Sequence, residues 1–352
     1  MQLRPQVKPP LGVIFDCDLG NSIDDALALA LLYGFDGKNE ARAVAVSVTK
    51  PNLKAAAFCD AIGRFYAGEV SGAFGAGGRT LPVGLATGGK MPEDTPMLSE
   101  PLAKRTPEGK PVYPNGVATM IDTADPMAVI RNALTSQHPQ NCVMVLTGPA
   151  TNFAKVLALP GVKELVVEKA KALVIAAGSY PDGGPEPQIK LDIEAATKLF
   201  AEWPGLIVTV GQEIGDKLLY PAASIEKDYA WSPAHPVVDA YRAYKTMPYD
   251  APASAMAALL YAVRPQEGYF KLSEPGVISV QPDGATKFSA SATGKHRYLI
   301  LDETQQEKII KTYTEVASAK PVPRPRFRRP MPQDQQQQTP PPAATPAKPP
   351  AA

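Results

Sequence analysis

Four carboxylates, Asp16, Asp18, Asp24 and Asp25, fall within ten residues near the start of the chain. At that density they repel one another unless something positive lies among them. A hard divalent cation with oxygen ligands is the simplest partner for such a set. The alternative is a solvated acidic loop leading into a helix, whose first turn favours acids because the positive end of the helix dipole lies there. That alternative accounts for Asp24 and Asp25 but leaves Asp16 and Asp18 unexplained.

The elements around these residues follow from the local pattern. Residues 12–15 (GVIF) are apolar and partly β-branched, as in a buried strand, with Asp16 and Asp18 where it ends. Residues 19–22 (LGNS) form a turn, and Asn21 or Ser22 can cap the helix that opens with Asp24-Asp25 and continues as ALALALLYG. Residues 41–49 read as a second strand and residues 52–66 as a second helix. This strand–helix alternation predicts a parallel sheet with crossover helices, whose ligands sit beyond the carboxyl ends of the strands. Further strands are expected at 141–146, 170–177 and 204–210, and helices at 125–136, after Pro252, and at 304–317. A hairpin turn is expected at Pro282-Asp283-Gly284. Residues 86–115 form a long polar loop, read as a flap over the site.

Composition narrows the class. The chain has 352 residues, 45% apolar and 20% charged, with a net charge of +1, so it can bury a large core and shows no nucleic-acid-binding balance. No apolar run is long enough to span a membrane. Cys17, Cys59 and Cys142 have no zinc spacing and are expected as buried free thiols. The N-terminus shows no signal-peptide h-region, which gives a cytoplasmic expectation. From residue 320 onward the chain is rich in Pro and Gln with little to bury, and a disordered tail is expected.

The N-terminal run Asp16-Cys17-Asp18-Leu19-Gly20-Asn21-Ser22-Ile23-Asp24-Asp25-Ala26 resembles the D-x-D-P-G-x-D-D-A motif of the inosine–uridine-preferring nucleoside hydrolase superfamily, with two extra turn residues and Leu19 in place of proline. Thr147-Gly148-Pro149-Ala150-Thr151-Asn152 resembles the family's T-G-x-x-T-N; taken alone it is a strand-to-helix turn with Asn152 capping. Glu186-Pro187-Gln188 stands where the family has E-F-N, followed in register by Asp192, which is expected to cap the next helix. Tyr249-Asp250 stands where several members have His-Asp. Either Lys50 or Asn52 occupies the position of a family Asn in the second loop. The chain is thus similar to a divergent bacterial-type member.

The resemblance implies a single large α/β domain, mostly parallel, over residues 11–319, with an extension at 1–10 and the tail at 320–352. It implies one Ca2+ held by Asp18, Asp25, Asp250 and the Thr147 carbonyl, Asp18 as general base on a metal-bound water, and Asp24, Glu186, Gln188 and Asp250 on sugar hydroxyls. Tyr249 becomes the candidate acid for the leaving base, a weak one given its unperturbed pKa near ~10, with His235 or a flap residue as substitutes. The expected reaction is hydrolysis of a ribonucleoside N-glycosidic bond. Two other classes stay open: a hydrolase of another ribosyl or glycosyl compound, and a non-catalytic binder of a ribosyl ligand. The expected partner is a small-molecule nucleoside or ribosyl substrate, with neither nucleic acid nor membrane, and a homodimer or homotetramer is compatible with this reading.

Overall fold

A computed structural model of the chain describes residues 9–67, 81–181 and 183–322. The expected tail after residue 322, most of the N-terminal extension and Asp182 of the loop before Glu186 lie outside the described residues.

Among the described residues ten strands form one sheet. They are β1 (Leu11–Cys17), β2 (Ala41–Val48), β3 (Val83–Leu85), β4 (Cys142–Leu146), β5 (Ala170–Ala176) and β6 (Ile207–Val210), and later β9 (Phe270–Leu272), β10 (Gly276–Val280), β11 (Thr286–Ala290) and β12 (His296–Leu301). Two short strands, β7 (Leu219–Tyr220) and β8 (Ala251–Pro252), pair separately. The order across the sheet is β11-β10-β12-β6-β5-β4-β1-β2-β3, and every neighbour from β3 to β12 is parallel. The expected hairpin appears as antiparallel β10–β11 at the far edge.

The strands read as continuous apolar runs because both faces are covered. Along β1, Val13, Phe15 and Cys17 enter one core layer and Ile14 the other. The first layer is roofed by the helices Asp24–Gly37, Leu53–Ala67, Ser254–Val263 and Gln306–Ala317. The second is roofed by Pro126–Thr135, Thr151–Leu157 and Ile193–Glu202. Asp24–Gly37 is buried on nearly every side, which explains its Ala/Leu composition and its lack of a polar face. The segment expected as a plain loop over 86–115 contains a helix, Pro96–Ala103, started by a proline in its first turn.

The chain leaves β1 for β2 on one side, and β4 lies against β1 on the other. A reversal of this kind opens a crevice at the carboxyl ends of the strands.

Candidate active site

Asp16 lies inside β1, in register with Ser47 of β2 and Leu146 of β4. Its Oδ2 accepts the Ser47 hydroxyl and the Asn152 Nδ2–H at 2.8 Å, while Oδ1 has no partner among the described residues. Burial pushes its pKa up to about 7, against the pull of those two donors. Asn152 therefore braces Asp16 and does not cap the helix Thr151–Leu157, whose N-cap is Ala150.

Asp18 follows the strand end and is 2% exposed. Asn21 Nδ2 donates to its Oδ2 at 2.7 Å, and Gln188 Nε2 donates to its Oδ1 at 3.3 Å. Neither Asn21 nor Ser22 caps the first helix; its N-cap is Ile23, with no side-chain bond. Asn21 is turned back because its Oδ1 accepts the Lys50 ammonium at 2.7 Å. A lysine can only donate, so this contact fixes which way the Asn21 amide faces. Lys50 is 2% exposed, and its ammonium also donates to the Met91 carbonyl at 2.6 Å. Of the two residues left open for this loop, Lys50 reaches the site. Asn52 accepts the Lys54 backbone N–H and donates to the Pro92 carbonyl.

Asp25 faces Asp18. The Thr147 hydroxyl donates to Asp25 Oδ1 at 2.6 Å, and Asp25 Oδ2 has no hydrogen-bond partner among the described residues. Burial raises both acids, but the donors Asn21, Asp25 and Gln188 pull Asp18 back down, whereas the Asp18 charge pushes Asp25 further up. Asp25 is therefore held further above the ordinary carboxylate range than Asp18. Gly148 permits this approach: a Cβ there would lie 2.8 Å from the Asp18 nitrogen.

The remaining expected residues divide. Glu186 is buried near Asp18, its carboxylate accepting the Ile189 N–H at 2.8 Å at the start of the helix Pro187–Leu191. Asp192 caps Ile193–Glu202 through Ala195 N–H, as expected. Asp24 accepts the Ala255 N–H at 2.7 Å, and burial pushes it up to about 7.

Asp250 is not brought to this group. It is exposed, and its Oδ1 accepts the Ala222 N–H at the start of Ala222–Lys227. The strand pair β7–β8 carries Asp250 there, and the helix Ser254–Val263 begins after Ala253, so Asp24 takes the helix-start position the resemblance gave to Asp250. Tyr249 is likewise engaged elsewhere. It stacks on Tyr241 at 4.3 Å, and its hydroxyl donates to the Tyr241 carbonyl at 2.6 Å. Burial pushes its phenol well up, which makes it a poor proton donor. His235, the substitute acid, is 2% exposed among Phe65, Tyr66, Tyr229 and Trp231, with Nε2 against the Tyr66 hydroxyl at 3.1 Å.

Asp18, Asn21 and Lys50 open onto a cavity of about 380 Å³, whose wall also includes Thr49, Lys90 and Lys190. The expected flap contributes Gly89 and Lys90 to this wall and is tied down by the Thr95 hydroxyl on the Gly20 carbonyl at 3.0 Å.

The fold and this crevice define a doubly wound α/β protein with a carboxylate site at the topological switch. The chain belongs to the inosine-uridine preferring nucleoside hydrolase family, whose model matches residues 13–320. The family's members are N-glycosyl hydrolases and depend on a metal. The fold is similar to that of an inosine-uridine preferring nucleoside hydrolase from Bacillus anthracis (17% identity, TM-score 0.59, 88% of this chain and 99% of that one). It is similar also to a purine-preferring ribonucleoside hydrolase from Gardnerella vaginalis (16%, TM-score 0.60, 87% and 99%). A third similar structure is the type III effector XopQ complexed with adenosine diphosphate ribose (16%, TM-score 0.62, 91% and 96%). No curated protein sequence matches the chain. No helix among the described residues is long and apolar enough to cross a membrane.

The family's metal can be set against the donors present. They are oxygens, as a hard cation requires, and Asp25 Oδ2 has no hydrogen-bond partner among the described residues. A calcium ion, however, takes about six to eight oxygens, and no three His, Cys, Asp or Glu side chains among the described residues group closely enough to hold a metal. Asp18 and Asp25 meet as an acid pair, and Asp250 lies elsewhere. The residues present do not fit the expected calcium set.

Proposed function

We propose that the protein hydrolyses the N-glycosidic bond of a ribonucleoside, giving ribose and free base, with Asp18 as general base. The observation that carries the reading is a buried carboxylate with both oxygens on amide donors, opening onto a cavity of about 380 Å³ at the strand ends. That volume lies in the range of small-molecule sites, from ~300 Å³ upward. The family membership supplies the reaction class.

A water in the cavity attacks the anomeric carbon as the carbon–nitrogen bond lengthens through an oxocarbenium-like state. Asp18 takes the proton from that water, and the bonding electrons leave on the base. Gln188 and Glu186, both near Asp18, are read as sugar-hydroxyl contacts that set the anomeric carbon in place. Asp24 and Asp250, given that role by the resemblance, are instead each bonded to a helix start, and no contact is assigned to them. The calcium expected on Asp18, Asp25, Thr147 and Asp250 enters no step, because the donor set does not fit it. Residues 11–319 are read as the catalytic domain.

Neither Tyr249 nor His235 is poised to protonate the leaving base, so a substrate whose leaving group needs no proton should react best. The test is a panel of ribonucleosides and p-nitrophenyl riboside, read by chromatography of the released base or phenol. Release from p-nitrophenyl riboside at least ~100-fold faster than from inosine or uridine is expected. Saturable binding with no product from any of them would make the protein a binder.

A further inference from the structure

Three departures from the family motif bear on the surroundings of Asp18. The turn after Asp18 has two extra residues, which bring Asn21 to Asp18 Oδ2 at 2.7 Å. The next strand end carries Lys50, whose ammonium meets Asn21 Oδ1 at 2.7 Å. The carboxylate expected before the helix Ser254–Val263 is turned away onto Ala222. The first two add a cation beside Asp18, and the third removes a ligand that a divalent ion would need.

We propose that Lys50, acting through Asn21, supplies the fixed positive charge for the Asp18 base, and that this enzyme therefore works without a divalent metal. Lys50 is a positioning residue. One N–H holds the Asn21 amide with its donor end on Asp18, and a second is anchored on the Met91 carbonyl. An ammonium has three donors, so one is left for a water or hydroxyl in the cavity that Lys50 lines. The charges facing Lys50 are Glu93, Asp18 and Asp94. Asp94 is paired with Lys54 and Glu93 is exposed, so Asp18 is the buried one of the three. A buried lysine without a counter-charge would be costly, and a buried carboxylate likewise; through the Asn21 amide each offsets the other. The flap takes part because it carries Met91.

This inference rests on the hydrolase reading, and its test has an arm that needs no turnover. The full-length protein is purified, its metal content measured, and its melting temperature compared in excess EDTA and in millimolar calcium. No stoichiometric metal and no calcium-dependent rise in melting temperature are expected. One bound ion per chain with a rise of several degrees would overturn the proposal, whether or not a substrate has been found. Where a riboside is turned over, kcat should be the same in EDTA and in calcium within about twofold. Lys50→Met should lower kcat by ~100-fold with KM within about threefold, as for loss of an effect on the reacting state alone. Should Lys50→Met fail to fold, Asn21→Leu cuts the link with Lys50 in place and should give the same split. Activity abolished by EDTA and restored by calcium, or equal changes in kcat and KM for both variants, would overturn it.

Discussion

Two buried polar groups in this protein solve the same problem in opposite ways. At the end of β1 the carboxylates of Asp16, Asp18 and Asp25 are surrounded by donors: Ser47, Asn152, Asn21, Gln188 and Thr147. Between the outer helices His235 is surrounded by four aromatic rings, the nearest being Phe65 at 4.5 Å. Its Nδ1 has no partner among the described residues, and burial pushes its pKa down to about 3. In the first group the donors oppose the effect of burial on the acids, whereas in the second nothing opposes it and the ring is kept neutral. Burial alone therefore does not mark a catalytic group; what marks it is a set of donors arranged to hold one ionisation state next to a cavity.

That contrast can be tested by mutation, beginning where the cost is largest. Asn152→Leu leaves Asp16 with Ser47 as its remaining side-chain donor, and should destabilise the protein by about 3 kcal/mol in urea unfolding. A change below about 1 kcal/mol would mean the Asp16 bracing is dispensable.

His235 predicts an effect of opposite kind. The unfolded chain takes up a proton near pH ~6.5, while the folded ring resists until far lower, so stability is fully present above that pH and is lost as pH falls. The loss approaches about 1.4 kcal/mol per pH unit. His235→Phe removes this slope and should narrow the stability difference between about pH 7 and about pH 5 by ~2 kcal/mol, with turnover unchanged. Tyr66 keeps a partner in the Ala317 carbonyl, which limits collateral damage. An unchanged acid slope would show that His235 is not the group responsible.

Thr147→Val removes the donor on Asp25 Oδ1 and should lower kcat by ~10-fold through the Asp25–Asp18 pair. If only stability changes, Asp25 has no part in setting the state of Asp18. The smallest effect belongs to Tyr249→Phe. It loses the bond to the Tyr241 carbonyl, costing about 1 kcal/mol, and should leave turnover on nucleosides within about twofold. A large loss on nucleosides but not on p-nitrophenyl riboside would restore Tyr249 as the acid.

The parallel sheet was legible because buried strands and crossover helices write strong local patterns: GVIF, CVMVL and ALVIA each became a strand, and the cap at Asp192 fell where it was read. The helix in the flap was hidden by its flanking Pro and Gly residues. In the site, Asp18 and Thr147 directly follow strand ends, and Asp25 and Gln188 lie in the first turns of the helices that come next, positions that short motifs locate well. Asp250 could not be placed this way, since a two-residue strand between it and the next helix decides where it points. Lys50 was open between two readings because its role depends on Asn21, a contact across 29 positions that no local pattern records.

The central claim is that Asp18 is the base that activates water. The most direct measurement is kcat for Asp18→Asn on whichever riboside the wild type cleaves, with the melting temperature taken alongside. A fall of at least ~1000-fold is expected, with a melting temperature below wild type, because the buried Lys50 ammonium loses its counter-charge. Turnover within about tenfold of wild type in a folded variant would contradict the account, since a general base cannot be removed at so small a cost.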